Sequence, residues 1–198
     1  MESSLPRAAD VVVKVGGGVL ADVAGFDAVL ATLSEAAHSC RLVIVPGGGP
    51  FADAVRAVDR QLGLSETAAH WMAIAAMDQY AHVIAERLDR TSLIEDPREI
   101  GRAIAGGRVP VLRPSRWLRE ADPLPHSWDV TSDSIAAWIA GQLGARQLIL
   151  VKPRGVDRPE CAVDAYFAPA LPREVDLTIV PADRIGELRS AVVLRRSG

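Results

Sequence analysis

The stretch Val11-Val-Val-Lys-Val-Gly-Gly-Gly-Val-Leu20 decides the fold of this chain. Within residues 10–15 an aspartate is followed by a β-branched apolar run, Val11–Val15, interrupted only by Lys14. Such a run reads as a strand buried on both faces, the mark of a parallel sheet rather than of a half-exposed alternating one. The three glycines that follow leave backbone N–H groups at the strand's carboxyl end open to close approach by an anion. A second stretch, Leu42-Val-Ile-Val-Pro-Gly-Gly-Gly-Pro50, repeats the design. Here an apolar strand over 41–45 runs into Gly47–Gly49, and Pro50 sits where a first-turn proline opens a helix over 51–62. A third, Trp128-Asp-Val-Thr-Ser-Asp-Ser134, places Asp133 in the first turn of a helix over 131–143.

Outward from these stretches the chain alternates. Helical spacing covers 26–38, 65–90, 94–105 (opened by Asp96-Pro97) and 182–189; strands are predicted over 109–112, 147–151 and 176–180, with a closing strand over 191–194. Residues 113–128, broken by prolines and tryptophans, read as a loop with one helical turn near Trp117, and 153–172 as irregular. The alternation predicts an α/β fold, an αβα sandwich with a mainly parallel central sheet in a single domain. Any internal division falls near Gly144, between a substrate part (1–144) and a short C-terminal nucleotide lobe (145–198).

With 49% hydrophobic and 24% charged residues, the 198-residue chain has the composition of a globular enzyme with an ample core. A net charge of −3 does not suit a polyanion binder, and Arg195-Arg196 is the only local basic pair to stand out, so no nucleic-acid partner is expected. Cys40 and Cys161 lie far apart without metal-ligand spacing, which argues against a disulfide framework and for a reducing cytoplasm. No apolar run reaches the about 20 residues a membrane span needs, and residues 1–7 lack an apolar signal core. No protein metal site is expected, because no His/Cys/Asp cluster has zinc spacing.

Ligands of open α/β sheets bind outside the carboxyl ends of the strands. Lys14, Gly16, Gly17, Gly18, Gly47, Gly48, Gly49, Arg113 and Lys152 are each expected to follow a strand and to gather on one sheet edge. A lysine closing an apolar strand is either a rim residue that snorkels to water or a cation that follows a moving phosphoryl group. Two such lysines and an acid on one edge favour the second reading. Asp133 would repel phosphate at close range, so beyond capping its helix its useful role is to orient Lys14 and Lys152 and keep them protonated. Thr131 and Ser132 can donate to phosphate, cap the helix, or both. His70 and Trp71, on an alanine-rich helix, read first as core or interface, and that helix as a helix–helix interface. His126, Trp128 and Asp129 can line a pocket beside the acid-bearing turn.

Lys14-Val-Gly-Gly-Gly18, Pro46-Gly-Gly-Gly-Pro50 and Thr131-Ser-Asp133, with Lys152 after the next strand, resemble the amino acid kinase family in order over residues 11–156. The resemblance implies ATP with Mg²⁺, transfer of the γ-phosphoryl group to a carboxylate, carbamate or phosphate, and usually a homo-oligomer. It implies that Lys14 stabilises the transferring group, that the glycine turns cradle phosphates, that Asp133 orders the lysines and that Lys152 assists on the nucleotide side. His70-Trp-Met-Ala-Ile74, Ser127–Ser134 and Val163-Asp-Ala-Tyr-Phe167 are similar to the branch of that family that makes a diphosphate from an (aminomethyl)furanylmethyl phosphate in methanofuran-type one-carbon cofactor synthesis. That narrower resemblance implies a small-molecule phosphate substrate lined by His70, Trp71 and Trp128, with Arg56 or Arg113 for its phosphate and Asp129 or Asp164 for its amine. A carboxylate or carbamate kinase of the same fold, and a non-catalytic nucleotide- or oxyanion-storing protein, remain the alternatives. The part beyond Lys152 is short for the family, and Pro153-Arg-Gly155 stands where Val-Asp-Gly is common.

Overall fold

The computed structural model describes residues 8–156 and 162–193. Cys161 and the Arg195-Arg196 pair lie outside them. Six strands form one sheet in the order β3-β4-β2-β1-β5-β6: β1 Val11–Val15, β2 Leu42–Pro46, β3 Thr91–Ile94, β4 Val109–Leu112, β5 Gln147–Lys152 and β6 Asp176–Pro181. Every pairing is parallel. The chain therefore meets the sheet's middle first, at β1, and adds strands on both sides of it. This puts a topological switch point at β1, the usual address of a ligand cleft in such sheets.

Side chains alternate across the pleat, and the two parities build two cores. Val12, Val43, Leu148 and Leu150 face one side, against α6 (Ser132–Gln142), while Val11, Val13, Ile44 and Ile149 face the other, with Phe26, Val29, Leu30 and Leu33 of α1 (Val23–Ala36). All of these residues are buried, as the continuous apolar runs require. Helix α2 (Gly49–Leu62) has its proline in the first turn, and α3 (Glu66–Arg87) is capped by Ser65, whose hydroxyl accepts from Ala68 N at 3.2 Å. The short helices α4 (Ile100–Ala105), α5 (Ser115–Ala121) and α7 (Phe167–Ala170) and the C-terminal α8 (Ile185–Val192) complete the layers. No helix among the described residues is long and apolar enough to cross a membrane.

Several elements differ from the sequence expectation. The helix expected over 94–105 is preceded by an edge strand, β3, whose partial exposure hides it from a burial-based pattern. Residues 115–121, where one helical turn near Trp117 was expected within a loop, form two turns of helix held at the start by Asp78, whose carboxylate accepts from Ser115 N at 3.1 Å and from the Ser115 hydroxyl. The closing strand expected over 191–194 is not formed where described: Ala191 and Val192 end α8. Lys14 and Lys152 lie within β1 and β5 rather than after them.

Candidate active site

Parity explains why the two lysines meet. Lys14 shares the face of Val12, and Lys152 that of Leu148 and Leu150, so both point toward α6; β1 and β5 are neighbours, with Lys14 opposite Leu150 and Val15 opposite Val151. They are the only lysines in a chain of 198 residues. Helix α6 starts with Thr131 as N-cap and brings Asp133 down between them. Lys14 Nζ stands 2.9 Å from Asp133 Oδ1, and Lys152 Nζ 2.5 Å from Oδ2. Exposure is 5% for Lys14, 4% for Asp133 and 6% for Lys152. The Lys152 contact is also a hydrogen bond, and Lys14, paired with the other carboxylate oxygen, lines the cleft.

Burial alone would push the Asp133 carboxyl up, but the charges of Lys14 and Lys152 outweigh it and hold the group below the ordinary carboxylate value. Lys152 moves below the ordinary lysine value because burial and the nearby Lys14 charge exceed the opposing pull of Asp133. A carboxylate pinned by two ammonium groups and held ionised is a poor proton acceptor. The triad is therefore built to place positive charge, not to remove a proton.

Lys14 opens into a cleft of about 230 Å³ whose walls include Gly17, Gly18, Gly48 and Gly49, with His70, Met77, Trp128 and Thr131 farther out. The glycines divide into two jobs. Gly17 and Gly47 let the two turns pack backbone to backbone: a Cβ on Gly17 would lie 2.3 Å from Gly49 N, and one on Gly47 2.6 Å from Gly17 N. Gly16, whose Cβ would meet Val151 O at 2.7 Å, keeps the first turn against β5. Gly16 and Gly47 do not line the cleft; the other four do. Tyr80 supports both turns from α3, with its hydroxyl donating to Gly16 O at 3.4 Å and its ring under Gly49. Gly18 also borders a second recess of about 370 Å³, lined by Asp22, Pro153, Arg154 and Ala182 on the β5–β6 side. The two cavities meet at that glycine.

Other expected residues are sorted by the fold. Arg56 lines the cleft, its guanidinium 4.9 Å from the centre of the Trp128 ring and 3.0 Å from Asp53. The Trp128 ring is held by its indole N–H, which donates to Asp59 at 2.7 Å. His70, 8% exposed, lines the cleft and stacks on His126 at 4.4 Å. Burial and the His126 charge push His70 down to about 4, so it is neutral at pH 7. Ser132 also lines the cleft. Trp71 does not; it packs edge-on against His70 and His126, with Arg119 4.7 Å over its ring. Arg113 is also outside the lining and pairs with Glu95 at 2.6 Å. Asp129 is exposed and outside it. Asp164 is bound to the start of α6, where its Oδ2 accepts from the Thr131 hydroxyl at 2.6 Å and from Thr131 N at 2.8 Å, so Thr131 has no donor left for phosphate. Asp53, which the sequence did not single out, is the one acid among the described residues lining the cleft. Its signal is its place three residues before Arg56 on the helix that begins at the second glycine turn.

No three His, Cys, Asp or Glu side chains come together as a metal site among the described residues.

Residues 11–154 match the amino acid kinase family. The chain is 32% identical over 139 residues to the [5-(aminomethyl)furan-3-yl]methyl phosphate kinase of Methanocaldococcus jannaschii, a match covering 70% of this chain and 63% of that protein. It is 28% identical over 146 residues to a uridylate kinase of Methanococcoides burtonii, covering 71% and 58%. The chain thus spans about six-tenths of the length of these curated relatives. The fold is similar to the crystal structure of uridylate kinase from Archaeoglobus fulgidus, with a TM-score of 0.69 at 19% identity over 92% of this chain and 95% of that one.

Proposed function

The chain belongs to the amino acid kinase family, and from that premise we propose that it transfers the γ-phosphoryl group of ATP to a small phosphomonoester, [5-(aminomethyl)furan-3-yl]methyl phosphate or a near analogue, giving a diphosphate. The observation that carries the reading is the buried Lys14–Asp133–Lys152 triad behind a cleft walled by two glycine turns. An oxygen of the acceptor phosphate attacks the γ-phosphorus; the bond from that phosphorus to the bridging oxygen breaks, and ADP leaves. The attacking oxygen is already ionised near neutral pH, since a phosphomonoester loses its second proton with a pKa of about 6. No general base is required, which agrees with a site whose deep acid is pinned and ionised. A hydroxyl acceptor would need one.

In this reading Lys14 follows charge on the transferring group, Asp133 keeps both lysines in place, and Lys152 faces the donor side. The N–H groups of Gly17, Gly18, Gly48 and Gly49 hold phosphate oxygens, helped by the N-terminus of α2. The recess beside Gly18 takes the donor, and the Lys14 cleft takes the acceptor. Mg²⁺ would be held by phosphate oxygens and water and would neutralise charge on the donor. At about 230 Å³ the cleft is below the roughly 300–1,000 Å³ of typical ligand pockets, which favours a small phosphomonoester over a nucleotide. Asp53 is the acid that faces the acceptor's amine, in place of Asp129 or Asp164, and Arg56 on the Trp128 ring is the cation at the cleft mouth.

The test is a panel of acceptors with ATP and Mg²⁺. The aminomethyl-furan phosphate should give the highest kcat/KM; preference for UMP, acetylglutamate or carbamate would assign the chain to another branch of the fold.

A further inference from the structure

One carboxylate outside the cleft holds the start of α6. Asp164 Oδ2 accepts from Thr131 N at 2.8 Å, Thr131 Oγ1 at 2.6 Å and Ser134 N at 3.1 Å, and its Oδ1 accepts from the buried Ser134 hydroxyl. Thr131 and Ser134 bracket Asp133 in the chain, so both flanks of the acid that meets the two lysines are tied to the same group. The segment carrying Asp164 has further anchors. Ala162 O accepts from Lys152 Nζ at 2.5 Å, and Tyr166 N donates to Asp129 O at 3.0 Å.

We propose that Asp164 is a positioning residue of the transfer site: it fixes the direction in which Asp133 presents its carboxylate to Lys14 and Lys152. A helix N-terminus beside a phosphate site would ordinarily attract the anion. Here the backbone N–H groups of Thr131 and Ser134 and both hydroxyls are already donated to Asp164. Ser132, at the same helix start, lines the cleft and is not among the residues Asp164 holds. Fixing the flanks of Asp133 matters because a catalytic group displaced by about 1 Å can lose on the order of 100-fold in rate.

Asp164 also bears on Lys152 through its charge. Three groups face Lys152: Lys14 from β1, Asp133 from α6 and Asp164 from the segment before α7. Lys14 favours the neutral amine, and the two acids favour the ammonium.

The proposal rests on reading the triad as the transfer site, and its test separates the two claims. Because the chain has only two lysines, protein labelled with ¹³C and ¹⁵N lysine gives two side-chain signals whose titration is read without any turnover. In Asp164→Asn the Lys152 signal should titrate at lower pH than in the wild type. With the acceptor phosphate, kcat should fall roughly 10–100-fold, as for loss of a group that orients a reacting one, while acceptor KM stays within about threefold. The alkaline limb of the kcat profile should move to lower pH with the lysine. Ser134→Ala removes one donor from the other side of the same contact and should reproduce part of the kcat loss at unchanged KM. The double variant should be little worse than Asp164→Asn alone. An unshifted Lys152 titration, additive losses in the double variant, or a rise in acceptor KM that accounts for the whole effect would each overturn the proposal. If Asp164→Asn does not fold, Ser134→Ala decides by the same kcat-against-KM split. A wild-type chain that phosphorylates no phosphomonoester defeats the functional reading instead, and the lysine titration still decides the role of Asp164.

Discussion

Replacing Asp133 by asparagine keeps the shape of the triad and removes its negative charge. The carboxylate stands 2.9 Å from one ammonium and 2.5 Å from the other, with all three side chains almost fully buried. At an effective dielectric of about 20 each contact carries on the order of 6 kcal/mol of attraction. Most of that offsets the cost of taking three charges out of water, so the net loss is smaller. Removing one partner of a buried pair costs about 3–5 kcal/mol, because an uncompensated charge remains. Here two ammonium groups would remain, against a total stability of about 5–15 kcal/mol for a domain. The loss depends on pH with a definite sign. Lys152 is already held below its ordinary value by burial and Lys14. Without Asp133 it falls further, and once it is neutral the penalty relaxes. Urea unfolding of Asp133→Asn should therefore show a deficit of about 3–5 kcal/mol at pH 7 that shrinks toward pH 10. In a coupled ADP-release assay kcat should drop by about 100-fold or more. A deficit under about 1 kcal/mol at pH 7, or one that grows as pH rises, would refute the reasoning.

Other consequences follow from the same geometry. Gly17→Ala forces a methyl against Gly49 backbone at 2.3 Å; it should cost about 1–3 kcal/mol by thermal or urea unfolding and separate the two turns, lowering kcat. His70 is held near 4 against an ordinary value of 6.5, so the unfolded chain takes up its proton first. Stability from His70 is fully present above pH 6.5 and is lost between 6.5 and 4, by at most about 3 kcal/mol, and His70→Gln should flatten that part of the curve. Asp53→Asn should raise KM for the aminomethyl acceptor by about threefold to fivefold and leave KM for the analogue without the amine unchanged. Equal effects on both acceptors would remove Asp53 from amine recognition.

The centre of the fold was legible because β1, β2 and β5 are buried on both faces and their sequences are continuous apolar runs. In such a run a lysine is conspicuous, and Lys14 and Lys152 could be paired with Asp133 once a parallel sheet was inferred. The edge was less legible. β3 is half exposed, so Thr91 and Ser92 carry no burial signal, and Asp96-Pro97 marks the following helix start more strongly than the strand before it. α5 contains a tryptophan and follows a proline, which suggested a single helical turn in a loop, yet its start is fixed from α3 by Asp78 and it runs for two turns. The glycine triplets suggested two anion-holding turns; what the sequence does not show is their mutual packing, seen where Gly17 meets Gly49 and Gly47 meets Gly17. Arg113 and Asp129 seemed suited to the cleft by their neighbours in sequence. The fold instead turns Arg113 to Glu95 and leaves Asp129 in solvent. Asp164 is separated from Thr131 by more than thirty positions, so their contact has no local pattern to betray it.

The central claim is that Lys14, ordered by Asp133, moves a phosphoryl group onto a phosphate. ³¹P NMR of a reaction containing ATP, Mg²⁺ and [5-(aminomethyl)furan-3-yl]methyl phosphate tests it directly. The account predicts that the acceptor's monoester resonance is replaced by the coupled pair of a diphosphate, in step with ADP, and that Lys14→Ala abolishes this while remaining folded. ATP loss that yields only inorganic phosphate, or diphosphate formed equally well by Lys14→Ala, would contradict it.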